Sequence, residues 1–305
     1  MRLHWNWLIV LVLPLLFAGQ AFGKTLEVIT TTTDLAALVR AVGGDRVRVQ
    51  AIAKGTQDPH QIEAKPSYMV RMRNADLVLA HGLDLETAWL VPLIQGARNP
   101  KIAVGTQGLF EIGGQLDPLD PAQGPVSRAH GDVHPAGNPH FHLDPDRLGR
   151  AAQLTADRLS TLSPVHSELF KKNAEAYKAR MDKLSQEWKQ RLQKSSVREV
   201  ITYHKTLVYF LRYFGIRNTL QLEPKPGIPP TAAHLLKVSR EAKERQIRLV
   251  MVENFYSLTA ADKIKQLVPS IVVREAPVAV LGEPDLQTNE QLLERLVKII
   301  ENADK

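Results

Sequence analysis

The chain has 305 residues, a formal charge of +7 from 39 Lys and Arg against 32 Asp and Glu, ten histidines and no cysteine. That length supplies two hydrophobic cores, and the missing cysteines exclude disulfides and thiolate metal centres, so any metal chemistry must use His, Asp and Glu. No Lys/Arg block with interleaved aromatics occurs, which leaves only a basic pI behind nucleic-acid binding, and that reading is set aside.

In chain order, MRLHWNWLIVLVLPLLFAGQAFGK comes first, with Arg2 ahead of an apolar run from Leu8 to Ala18 and small residues at Ala21 and Gly23. This is the pattern of a secretory signal over residues 1–23, cleaved after Gly23. The apolar run falls short of the ~20 residues that span a bilayer. The expectation is an exported periplasmic protein, without the cysteine that a lipid anchor requires. From Thr25 strands and helices alternate. Leu26–Thr30 reads as a strand, Asp34 opens a helix that stops at Gly43-Gly44, and Val47–Ile52 alternates as a strand. The loop GTQDPHQIEAKPS follows, then a helix from Ser67, a buried strand at Leu77–Ala80, a helix over Asp84–Gln95 and a strand at Lys101–Val104. Short alternating units of this kind imply a parallel sheet covered by helices on both faces.

Residues 111–139 break the rhythm with ten Gly and Pro positions, and a loop this long in a compact domain is most often functional or disordered. Asp144-Pro145 is an N-cap followed by proline at the first helical position. That helix pauses at Ser163-Pro164, and a second run then continues to about Lys194 without Gly or Pro. Along it Phe170, Tyr177, Met181, Leu184, Trp188 and Leu192 form one apolar stripe on a charged rod. A sustained heptad is missing, which argues against a coiled-coil dimer and for a stiff internal spine in a monomer. Alternation then resumes. Strands are expected at Glu199–Tyr203, Arg248–Glu253 and Ile271–Arg274, and helices at Leu207–Tyr213, Thr231 to Arg245, Thr259–Leu267 and Thr288 to Asn302. The fold class is therefore α/β, with two lobes that are each a parallel sheet flanked by helices, joined by one long backbone helix. The expected division is an N-terminal lobe over 24–163 that carries the His-bearing loop 111–139, a linking helix over 164–194 and a C-terminal lobe over 195–305.

Four of the ten histidines, His130, His134, His140 and His142, fall within thirteen positions. His60 stands in the loop after the predicted strand Val47–Ile52, His204 follows its predicted strand directly, and His140 stands at the end of the long loop. Ligands of open α/β sheets gather outside the carboxyl ends of strands, so these three are expected to meet in one cleft. Imidazole is a common zinc ligand and a closed site takes four donors. A carboxylate from the second lobe is expected as the fourth, and Glu275 and Glu253 both sit at strand ends, where position alone does not separate them.

GTQDPHQIEAKPS, NADLVLAHGLDLETAWL, NPHFHLDP, TYHKTLVYFLRYFG, EPKPGIPPTAA and VMVENFYS, in this order, resemble the zinc and manganese solute-binding proteins of bacterial ABC importers. The resemblance covers essentially the whole mature chain. It implies two α/β lobes joined by one long helix, a metal held in the interlobe cleft and an inner-membrane ABC permease as partner. Carried over residue by residue, it assigns ligands to His60 in DPH, His140 in NPH and His204, and the late carboxylate to Glu275, with Glu253 a strand-end glutamate near the cleft. His142 departs from the tryptophan that many relatives have there.

Three histidines and one carboxylate favour Zn²⁺ over Mn²⁺, the harder ion. Asp58 is placed to orient the His60 ring. His130, His134 and His142 are either transient metal contacts or solvated loop residues, while His81, His166 and His234 read as ordinary. Proton competition at the imidazoles is expected to lower affinity below about pH 6. The alternatives are a manganese or iron receptor of the same family, a zinc-dependent hydrolase, and a surface adhesin. His-X-His at 140–142 favours the hydrolase, but the chain has neither a His-Glu-X-X-His helix nor a Gly-X-Ser-X-Gly elbow.

Overall fold

The computed structural model describes residues 24–124, 131 and 133–304. Residues 1–23, where a secretory signal is expected, and His130 lie outside it. Two four-stranded sheets, all parallel, organise the chain. The first holds β1 (Leu26–Thr30), β2 (Val47–Ala51), β3 (Leu77–Ala80) and β4 (Leu109–Glu111) in the order β2-β1-β3-β4. The second holds β5 (Glu199–Thr202), β6 (Arg217–Gln221), β7 (Leu249–Glu253) and β8 (Val272–Ala276) in the order β6-β5-β7-β8. The two orders are the same once renumbered, although the sequence carries no visible repeat. In each, the chain crosses from one side of its first strand to the other, which creates a switch point at the carboxyl edge.

Side chains alternate between the faces of these strands, as the period of two requires. Val28, Leu77 and Leu79 turn to an inner core, which Val200, Leu249 and Met251 enter from the second sheet. Ile29, Val78 and Ala80 face an outer core with α2 (Pro66–Met72) and α3 (Leu90–Ala97). Ile201, Val250 and Val252 face another with α7 (Ala232–Glu244) and α8 (Thr259–Leu267). The inner core is continuous through both lobes and takes in α1 (Thr33–Gly43), α4 (Pro145–Leu162), α5 (Ser167–Leu192), α6 (Val208–Tyr213) and α9 (Asn289–Glu301).

The expected spine is α5, 26 residues long and so about 39 Å at 1.5 Å per residue. Phe170, Tyr177, Met181, Trp188 and Leu192 of its stripe are buried. The Trp188 indole donates to Glu294 at 2.7 Å, and Arg191 pairs with Glu294 and Glu301, both on α9. Between the lobes Thr33 donates to the Val280 carbonyl at 2.6 Å, Asp34 accepts from the Val280 amide at 2.8 Å, and Asn138 donates to the Lys205 carbonyl at 2.9 Å. Gly55 lies so close to the second lobe that a Cβ there would stand 2.3 Å from the Val280 carbonyl oxygen.

Several expected elements differ. Lys101–Val104 is not a strand: Pro100–Ile102 forms a single 3₁₀ turn, and the fourth strand of the sheet is Leu109–Glu111. The expected helix at Asp84 begins only at Leu90, because Gly82, Leu83 and Asp84 all have positive φ and the Glu86 carboxylate accepts from the His81 and Gly82 amides instead of facing solvent. β6 was not expected. β8 runs to Ala276, past the expected end at Arg274.

Candidate metal centre

The carboxyl edges of the two sheets face one another and supply the site from both sides. The loop after β2 carries His60, the 3₁₀ turn after the long loop begins at His140, and the residue pair after β5 is Tyr203-His204. One donor atom from each of His60, His140 and His204 lies within 4.8 Å of the others, and His140 and His204 are buried. The ring centroids lie 5.3 Å apart for His60 and His140, 5.4 Å for His60 and His204, and 5.8 Å for His140 and His204.

Each ring is held for a reason visible in its neighbours. Asp58, fixed in the Asp-Pro turn, accepts from the His60 amide at 3.0 Å and from Nδ1 at 2.7 Å, so Nε2 faces inward. Burial works against an ionised Asp58, but the His60 bonds outweigh it and hold the carboxyl below its ordinary value. Glu223 takes Nδ1 of His204 at 2.8 Å and is itself held by the Gly227 amide at 3.2 Å. The His140 amide donates to the Asn138 side chain at 2.9 Å, and its Nε2 is buried without a hydrogen-bond partner. A carboxylate on the far nitrogen fixes the tautomer that leaves the near nitrogen with a lone pair and raises its basicity.

His134 joins from the loop. Its Nε2 stands 3.2 Å from Nε2 of His60, and the rings are 5.3 Å apart. Burial, followed by the charges of His60 and His204, lowers its pKa to about 4. The His140 pKa falls well below 6.5 through burial and then the same neighbours. Both rings are therefore neutral at pH 7. Gly131, at the head of this loop segment, packs on the Pro226 carbonyl in the turn that also carries Glu223, so the segment lies across both lobes.

Of the two candidate carboxylates, Glu275 is placed differently from the expectation, while Glu253 is the strand-end glutamate beside the cleft that was expected. Glu275 lies exposed within β8, opposite Val252, and outside the cluster; the strand extends past it, so it does not occupy the carboxyl end. After β8 the segment that reaches the cleft carries Val278 and Ala279, which supply no carboxylate. Glu253 is buried at the end of β7 and accepts from the His204 amide at 3.2 Å, with a pKa pushed up to about 8 by burial. It braces the His204 backbone. His142 is buried and directs Nε2 to the Val278 carbonyl at 2.9 Å. His81, read as ordinary, is fully buried beside His142, with its pKa lowered to about 3 by burial and then by His142. Glu223 was missed altogether. It follows β6 just as His60 follows β2, so the same strand-end rule would have found it had β6 been recognised.

The chain matches, over residues 28–303, the family described as zinc-uptake complex component A, periplasmic. It is 24% identical over 283 residues to the zinc-binding lipoprotein AdcA of Streptococcus pneumoniae, a match covering 92% of this chain and 55% of that one. The chain thus spans about half the length of that relative. It is also 25% identical over 245 residues to the manganese ABC transporter substrate-binding lipoprotein PsaA of Streptococcus mitis, covering 77% of this chain and 76% of that one. The iron-binding protein YfeA of Yersinia pestis is 26% identical over 226 residues, covering 72% of this chain and 68% of that one. A crystal structure of ZnuA superposes with a TM-score of 0.75 at 24% identity, covering 92% of this chain and all of the other.

Proposed function

Because the chain belongs to the family of the periplasmic component A of zinc-uptake complexes, the metal-binding receptors of ABC importers, we propose that it captures Zn²⁺ between its lobes and delivers it to an inner-membrane ABC permease. The observation that carries the reading is the convergence of His60, His140 and His204, two of them braced by carboxylates on their outer nitrogens. Asp58 and Glu223 are committed to those nitrogens, so the donors offered to the ion are imidazoles, which suit zinc better than manganese. His134 is the fourth donor in this reading, adjoining His60 but standing outside the set of three whose donor atoms all lie within 4.8 Å of one another. Two nitrogens on one tetrahedral zinc stand about 3.3 Å apart at ordinary Zn–N lengths, and its Nε2 is 3.2 Å from that of His60. Four protein donors would leave no open position for an activated water, which favours capture over hydrolysis. Relatives named for manganese and iron keep those ions as the second reading.

The test is a chelator-competition titration of the metal-free protein with Zn²⁺ and Mn²⁺, repeated on His60→Ala, His134→Ala and Glu275→Ala. Tight zinc, weak manganese, a large loss in His60→Ala, a smaller loss in His134→Ala and no change in Glu275→Ala are the expected results. Manganese held as tightly as zinc would move the protein to the second reading.

A further inference from the structure

Beneath the imidazole cluster lies another group. Asp34 comes from the first turn of α1, His81 from the carboxyl end of β3, and His142 from the turn that begins at His140. One donor atom from each lies within 4.8 Å of the others, and the three residues are 1%, 0% and 5% exposed. The His81 and His142 rings meet edge to face at 5.1 Å, and His142 Nε2 is 3.9 Å from Asp34 Oδ2. We infer that Asp34, His81 and His142 form a second metal site for a first-row divalent ion, separate from the imidazole cluster and weaker than it.

Three observations carry this. First, a cavity of ≈ 20 Å³ opens among Thr32, Asp34, His81, His140, His142 and Val278, room for a single ion or water. His60 and His204 do not line it, so of the imidazole cluster the space touches only His140, although Lys54, Gln57 and Pro59 of the loop that carries His60 border it as well. Second, the Val278 carbonyl takes Nε2 of His142, and its Nδ1 is buried without a hydrogen-bond partner, which is costly for a ring nitrogen unless something takes its lone pair, so Nδ1 is the nitrogen free for an ion. Third, Asp34 is buried with its nearest cationic partner a histidine at 3.9 Å, and no Lys or Arg pairs with it among the described residues. A divalent ion supplies the missing charge, and two imidazoles with one carboxylate are a donor set that first-row ions accept. The site is the weaker one because His81 already spends both nitrogens, on the Pro139 carbonyl at 3.0 Å and the Thr32 hydroxyl at 2.9 Å. An ion on Nε2 must displace that hydroxyl, which costs roughly tenfold in affinity.

The experiment counts Zn²⁺ ions per chain by competition titration in the unmodified protein, Asp34→Asn and His204→Ala, with circular dichroism confirming that each is folded. Asparagine keeps the oxygen that accepts from the Val280 amide and removes only the charge. Expected are two ions in the unmodified protein with the second at least about tenfold weaker, loss of the weaker step alone in Asp34→Asn, and loss of the tighter step alone in His204→Ala. Because the two variants report on different steps, failure here is distinct from failure of the proposed receptor site. The inference is overturned if the unmodified protein takes one ion, or if Asp34→Asn and the unmodified protein titrate identically at both steps. Cobalt(II) gives an independent reading: a second equivalent that adds no absorption band of its own to the unmodified protein also overturns it.

Discussion

At the scale of single residues, the chemistry lies in how each ring is held. A carboxylate behind a ligating imidazole is worth about 10- to 100-fold in metal affinity. Glu223→Gln is therefore expected to weaken zinc by about that factor while leaving the fold intact, read by the same competition titration. A wild-type affinity in this variant would mean that His204 does not ligate through Nε2. The burial of the rings also changes the proton account. Four ordinary imidazoles, with pKa about 6.5, would shed about three protons on taking one ion at pH 6. With His134 lowered to about 4 and His140 well below 6.5, those two are already neutral there, so at most about two protons leave per zinc ion. Calorimetry in buffers of different ionisation heat counts them, and three would contradict the burial of the set. The loss of affinity below pH 6 expected from free imidazoles is correspondingly shallower. His60, His140 and His204 were legible because Asp-Pro, Asn-Pro and a strand end each announce them. Glu223 was hidden because it follows RNTLQ, an edge strand with one apolar residue and no buried run to mark it.

At the scale of elements, the long spine and the central strands were readable because each carries a strong period. The α5 stripe repeats at helical spacing, and β3 and the first four residues of β7 are apolar runs buried on both faces. The elements that went astray are those decided by a few polar contacts. Glu86 turns inward to hold the His81 and Gly82 amides, and that delays α3 beyond what its apolar pattern indicates. Edge strands β4 and β6, short and partly polar, take their conformation from a neighbour rather than from their own side chains. Within α5 the inward stripe carries the stability. Trp188→Ala removes a buried ring and its bond to Glu294, and about 3–5 kcal/mol of unfolding free energy should go with it. The exposed Lys183 on the same helix should change stability by no more than about 0.5 kcal/mol when replaced by alanine. Urea unfolding of the two variants makes the comparison, and equal effects would mean that α5 is not packed as described.

At the scale of the molecule, two sheets of the same strand order present their carboxyl edges to one gap, and the inner core passes beneath that gap without interruption. The bonds from Thr33 and Asp34 to Val280 and from Asn138 to Lys205 tie the lobes on the gap's own floor. Zinc is therefore expected to leave the overall shape nearly unchanged, with a radius of gyration shifted by less than about 1 Å in solution scattering, while amide exchange slows in residues 133–142 and 204–228 and not in α5. A hinge-like closure would give the opposite pattern. A shared core has a further consequence, for time rather than affinity. Parting the lobes would expose many large side chains at roughly 1.5–3 kcal/mol each, whereas lifting the short segment that carries His134 exposes few. The slow step in giving up an ion is then expected to be the movement of that segment, so that residence time would be written into one loop while the rest of the molecule stands still.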